Sequence, residues 1–213
     1  MNITHSQQFN QHELLEKLRN VTLMNDNAHI KPYRYANIQL VDIRTHHLAV
    51  PQTYVLQQEL LKIRDLRTKL AAECGKSLFR LNGFVRITTD ECKQPIDILP
   101  IIVETSIEAD GSVHLLINDG MHRAYVAHTS FVIPQVVLIT GASFPYYAYP
   151  IRGGLDGVKI VDELPEDFIK KWHRDSVNYR SSYRDFNSAF SNVGASRGRF
   201  TKEQYNGSAP TKF

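Results

Sequence analysis

The stretch that most restricts the fold runs from Ile98 to Thr140, where "ILPIIVE", "VHLLIN" and "VVLIT" are three short apolar runs rich in branched residues. An Asp-Gly pair at 110 and 111 divides the first two, and such a pair between apolar runs signals a hairpin. Two antiparallel strands therefore deliver the chain to a second Asp-Gly, Asp119-Gly120. Met121 to His128 then suit a helix, and the run after Pro134 reads as another buried strand.

Upstream, Phe9, Leu14, Leu15 and Leu18 recur at helical spacing, which predicts a leading helix over residues 6–20. "YANIQLVDIR" predicts a well-buried strand. Thr53 is placed to cap a long helix that Gly75 would end, and "FVRITTD" predicts one more strand. Downstream, "SFPYYAYPIRGG" lacks periodicity and is expected to wrap over the core as an extended segment that roofs a pocket. Helices are predicted over Pro165–Trp172 and Tyr179–Phe190, and disorder over the last dozen residues. The organisation expected is a helical lead (1–30), an α/β (α+β) domain (31–150) and a basic, helical C-terminal extension (151–213).

A chain of 213 residues with 42% hydrophobics can bury one sizeable core. Formal charge is +3, but from Lys170 onward nine Lys or Arg face three acids, which leaves residues 1–169 at −3. Cys74 and Cys92 form no Cys-x-x-Cys and imply a reducing compartment. With no signal pattern in "MNITHSQQFN" and apolar runs far below the roughly 20 residues of a membrane span, a cytoplasmic chain with no membrane partner is expected.

A strand that ends on Asp-Gly and turns straight into a helix points unpaired backbone N–H groups at the turn. Gly120 permits the tight geometry, the helix dipole favours an anion, and Arg123 adds a two-pronged cation suited to phosphate, with His122 as a further donor. Asp119 repels a phosphate unless Mg²⁺ or a transferable proton lies between them. A plain Asp-Gly turn beside a surface Arg fits the spacing as well.

"DGMHR", preceded by a hairpin and followed by a helix and "IPQVVLI", resembles the ParB/sulfiredoxin superfamily over roughly Tyr35 to Gly141. The resemblance implies a small mixed sheet with flanking helices, and assigns Gly120, Met121, His122 and Arg123 to nucleotide phosphates (ATP, ADP or CTP). Asp119 matches the acidic residue of the Asp-Gly-x-x-Arg branch, which includes free-serine kinases. Where those kinases have Pro-His-Glu after the first strand this chain has "RTHH", so His47 is the candidate hydroxyl base. Asp42 closes that strand near the family's pocket and joins Asp119 as a candidate metal ligand. Ala124 stands where partitioning proteins have a second Arg, and Met121 where sulfiredoxins have a cysteine.

Other motifs fall away. "GKS" at 75–77 has Leu70 where a P-loop needs Gly, and "HELLE" ends on Glu16 where a zincin needs His. His114 reads as an ordinary sheet histidine. Lys170, Lys171, Arg174, Arg180 and Arg184 interleave with aromatics, a mixture able to bind nucleic acid or simply to pack a helix. Two functions stay open: a Mg²⁺-dependent phosphotransferase acting on a small hydroxyl substrate, and a nuclease or nucleotide-switched DNA-binding protein using the basic tail. A nucleotide-binding relic without turnover is a third.

Overall fold

The computed structural model describes residues 2–163 and 169–193. Its main sheet has five strands: β3 (Asn37–Asp42), β4 (Leu48–Ala49), β8 (Ile101–Ile107), β9 (Val113–Asp119) and β10 (Gln135–Thr140). The order is β3-β10-β8-β9-β4, with β10 parallel to β8, β4 parallel to β9, and the other pairs antiparallel. This is the small mixed sheet expected. One strand reading changes: β3 lies at the sheet's edge and is only half-buried, because it has a partner on one side alone.

The leading helix is shorter than its spacing predicts. β1 (Ile3–Asn10) pairs antiparallel with β6 (Gly83–Thr89), which also pairs with β7 (Ile96–Ile98), and Phe9 stacks on Phe84 with ring centroids 4.3 Å apart. The helix α1 (Gln11–Arg19) starts only where Asn10 and Glu13 form a reciprocal capping box, at 3.0 and 2.8 Å. Leu14 and Leu18 then point into the core.

The long helix α2 (Gln57–Cys74) also starts late. Thr53 does not cap it, because β5 (Tyr54–Leu56) intervenes and pairs in parallel with β11 (Lys159–Val161). Tyr54 and Val55 are β-formers, and both are buried there. Gly75 ends the helix at φ +64°, donating its N–H to Ala71 O as a C-terminal glycine should. The third helix, α3 (Met121–Thr129), follows β9 directly.

Two cores flank the main sheet. On one face α2 contributes Leu60, Leu66 and Leu70, and α3 contributes Met121, Ala124 and Ala127, over Ile101, Val103, Ile117 and Val136. On the other face lie Leu14, Leu18, Tyr33, Phe84, Ile102, Val137, Phe186 and Phe190. The last two come from the C-terminal segment, which therefore completes this core instead of hanging off it. Burying each phenylalanine contributes roughly 1.5–3 kcal/mol.

That segment is not helical among its described residues. Tyr179–Ser182 and Phe186–Ser188 are single 3-10 turns, and between them β12 (Arg184–Asp185) pairs with β2 (Thr22–Leu23). The spacing of Tyr179, Tyr183 and Phe186 mimicked a helix, yet long-range pairing decides the backbone. Of the predicted helix Pro165–Trp172, residues 169–172 are described and are not helical, whereas residues 165–168 and the predicted disordered end lie outside the described residues. Among the described residues no helix is long and apolar enough to cross a membrane. Cys74 and Cys92 are both unbonded thiols.

Candidate functional site

The Asp119–Arg123 turn is set by an irregularity in the hairpin. Ile102 faces Asp119 while Val103 faces Ile117, so Asn118 is an extra residue, a β-bulge at the strand's end. Bulges re-aim side chains. Gly120 then sits at the N-cap of α3 with φ +86°, a conformation that costs a side chain about 1–2 kcal/mol. It is also crowded, since a Cβ there would lie 2.9 Å from Arg123 Nη2 and 3.0 Å from its Nε. The left-handed backbone is what requires glycine, since the crowding atoms belong to the movable end of a side chain.

The crowding shows where Arg123 goes. Its guanidinium folds back over Gly120, donates from Nη2 to Asp119 Oδ2 at 2.6 Å, and donates from Nη1 to the Leu99 carbonyl. Both partners of this ion pair are 11% exposed. The turn thus holds its own anion, with the Asp119 carboxylate occupying the fork that the sequence assigned to phosphate. The opening N–H groups of α3 lack intrahelical partners, and Gly120 has no side chain to cap them.

His122 behaves differently from the donor expected of it. Its Nε2 accepts the Leu56 N–H at 3.3 Å, which leaves the proton on Nδ1. Burial, reinforced by the charge of Lys170, pushes its pKa down to about 4, against the opposing pull of Glu59 and Asp119. The ring is neutral near pH 7 and ties the turn to the start of α2.

The other candidates lie elsewhere. Exposed His47 stands edge-on to His46, with centroids 4.1 Å apart, in a 3-10 turn at the far end of α3. There Thr45 Oγ1 meets His128 Nδ1 at 3.1 Å. Leu48 is level with Leu115, four residues and about 13 Å short of Asp119 along the sheet. His47 is therefore not brought to the turn. Asp42 pairs with Arg80 at 2.6 Å, and lies across β10 and β8 from Asp119, about 14 Å away at normal strand spacing. The two carboxylates do not converge, and among the described residues no group of three His, Cys, Asp or Glu could hold a metal ion.

The basic C-terminal residues turn inward. Arg184 is fully buried and grips Glu104 with two bonds of 2.9 and 2.7 Å, while also donating to the Phe144, Pro145 and Ser182 carbonyls. It cannot meet a nucleic acid, which corrects its place among the candidate contacts. Arg174 bonds Glu108 and Ser106, and Lys171 Nζ donates to Tyr147 Oη at 2.8 Å. Arg180 Nε donates to Tyr179 Oη, and Lys170 lies over the Tyr54 ring, 5.5 Å from its centroid.

Sequence reasoning missed the Glu104 network. Tyr33 Oη and Asn118 Nδ2 also donate to Glu104, and Asn118 donates to Tyr33 at 2.7 Å. Burial opposes the Arg184 charge, but Glu104 and Tyr33 outweigh it and raise its pKa; burial and Glu104 together raise that of the Tyr33 phenol well above normal. The readable signal was a carboxylate inside the apolar run "ILPIIVE", which requires a buried partner. Phe144, Pro145 and Tyr146 of the segment after β10 line a half-open hollow of about 240 Å³ together with Glu104, Ser106 and Arg174, away from the turn.

The family model described as the ParB CE domain matches residues 13–159, more than half of the 213-residue chain. No curated protein and no solved structure matches.

Proposed function

The chain belongs to the ParB CE domain family, and from that premise we propose that its Asp119–Arg123 turn binds the phosphates of a nucleotide, ATP, ADP or CTP. One observation carries the reading: a left-handed Gly120 between a bulged strand and a helix N-terminus, with a guanidinium folded over it and held by the Asp119 carboxylate and the Leu99 carbonyl. Backbone N–H groups and the positive end of α3 favour a phosphate at that point. Arg123 gains a better anion when phosphate displaces Asp119, since two-pronged contacts to phosphate are strong and directional.

Mg²⁺ fits the same arrangement. This ion takes one or two protein carboxylates and fills its remaining positions with phosphate oxygens and water, so Asp119 alone suffices. Bound there, it would neutralise phosphate charge and remove the repulsion between Asp119 and the ligand. This chain's part is then to release Arg123 from Asp119, to hold the phosphate against the helix, and to keep His122 neutral against Leu56 N–H. Phosphotransfer to a hydroxyl would need a base other than His47, which stands at the far end of α3. The DNA-binding reading draws no support from Arg174 and Arg184, which are engaged by Glu108 and Glu104 within the fold.

Calorimetric titration of ATP, ADP and CTP, each with Mg²⁺, into the wild type and Arg123→Ala tests the proposal. Saturable binding lost in the variant supports it; equal binding by both proteins, or none by either, overturns it.

A further inference from the structure

The turn's own side chains leave a charge deficit. Asp119 cancels Arg123 at 2.6 Å, His122 spends its Nε2 accepting a hydrogen bond, and Glu59 stands in the first turn of α2 beside it. Apart from the Mg²⁺ they bring, a nucleotide's phosphates, carrying several negative charges, would find there little beyond the half charge of a helix N-terminus, because Asp119 and Arg123 sum to zero.

The C-terminal segment supplies what is missing. The Thr53 N–H donates to Lys170 O at 3.1 Å, and Thr53 Oγ1 donates to Ile169 O, so this part of the chain is fastened alongside β5. β5 is the strand whose Leu56 N–H meets His122. A second set of rails follows: Tyr149 N–H donates to Trp172 O at 2.9 Å, and Arg174 N–H to Tyr147 O at 3.0 Å. Further along, buried Arg184 on Glu104 anchors the same segment to the strand that faces β9. Lys170 is thereby carried to the Tyr54 ring, next to the turn, on a backbone fixed at both ends.

We propose that Lys170 is a phosphate-binding residue of the Asp119–Arg123 site, delivered from the C-terminal segment to contact the outer phosphate of a bound nucleotide. The inference rests on the phosphate reading of the turn. It is supported by His122, whose proton affinity Lys170 depresses, second only to burial, as a cation close to that ring must. Lysine suits the position because a point charge on a flexible stem can swing from the tyrosine face to a phosphate oxygen. The site then draws on α3 and on Lys170 beside β5, and is incomplete without that lysine.

The test measures affinity for Mg·ATP, Mg·CTP and inorganic pyrophosphate in the full chain carrying Lys170→Ala, Lys170→Arg, Arg123→Ala or Lys31→Ala. The last removes the same charge from an exposed site whose ammonium bonds Asn20. Lys170→Ala should weaken binding about tenfold or more, Lys170→Arg should restore most of it, and Lys31→Ala should bind like the wild type. If Arg123→Ala loses binding while Lys170→Ala does not, the inference on Lys170 fails and the turn remains a phosphate site. Equal losses in Lys170→Ala and Lys170→Arg, accompanied by lower melting temperatures, mark a packing role and also overturn it. If the wild type binds none of the three, the phosphate reading itself falls, and Lys170 with it.

Discussion

Two carboxylate–guanidinium pairs have their carboxylates on the neighbouring strands β8 and β9, and they are built for opposite purposes. Glu104 and Arg184 are 2% and 0% exposed and joined by two bonds, while the guanidinium also donates to the Phe144, Pro145 and Ser182 carbonyls and Glu104 also accepts from the Tyr33 phenol. Asp119 and Arg123 are each 11% exposed, at the end of a bulged strand, where Arg123 donates to Asp119 and to the Leu99 carbonyl. Asn118 bonds into the first pair and Asp119 forms the second, so neighbouring residues serve the two. A buried, fully bonded pair cannot be opened without an uncompensated charge, whereas a pair near water can trade its carboxylate for another anion. The first fastens the C-terminal segment; the second is the one able to act.

Breaking the fastened pair should have the largest effect. Arg184→Ala leaves Glu104 charged and alone in the core, and is expected to cost about 3–5 kcal/mol in urea unfolding. The same substitution at Arg123 should cost markedly less, because its pair touches solvent. Equal losses would erase the distinction drawn between them.

Acid should reveal His122 next. Its pKa is depressed from 6.5 to about 4 in the folded protein, so the unfolded chain binds the extra proton first. Stability is therefore complete above about pH 6.5, falls as pH drops toward 4, and levels off below that. The share of this ring is on the order of 2–3 kcal/mol, and His122→Gln should flatten the profile across that window. His173, likewise lowered to about 4 by burial and then by Lys171, acts over the same window, so a comparable slope remains in the variant.

Gly120→Ala sharpens the comparison from the backbone side. The left-handed φ and the approach of Arg123 to 2.9 Å of a new Cβ predict a loss of about 1–2 kcal/mol, together with loss of nucleotide binding. Gly75→Ala, also left-handed but with open space around its Cβ position, should cost stability without touching binding.

Asp119→Asn should change stability less than Arg184→Ala, since Asn keeps an acceptor oxygen for Arg123. Its effect is on the ligand: without Mg²⁺, pyrophosphate should bind more tightly than to the wild type, because Arg123 no longer holds a competing anion. Weaker binding would show that Asp119 does not block the fork.

How much of this was legible in the sequence depended on how local each cause was. The β8–β9 hairpin, Gly120, α3 and β10 follow from apolar periodicity and turn residues within about forty positions, and they stand as read. β1 did not, because "ITHSQQFN" has no strand pattern of its own and becomes a strand only against β6, some eighty residues away. Its Asn10-x-x-Glu13 capping box was nevertheless readable and marks where the helix starts. Arg184 looked like one cation in an aromatic-basic helix, since nothing near it in sequence reveals Glu104 as its partner. The members of the turn could be named from residue types, but their resting state could not: that Arg123 holds Asp119 and that His122 accepts a bond are facts of packing.

The most direct measurement follows the Nε–H resonance of Arg123 and the Gly120 amide by ¹⁵N NMR while Mg·ATP or Mg·CTP is added, with the Arg184 Nε–H as internal reference. The account predicts saturable shifts at Arg123 and Gly120 and a still Arg184. Unmoved Arg123 and Gly120 signals under conditions where nucleotide binds would place the phosphates elsewhere and contradict it.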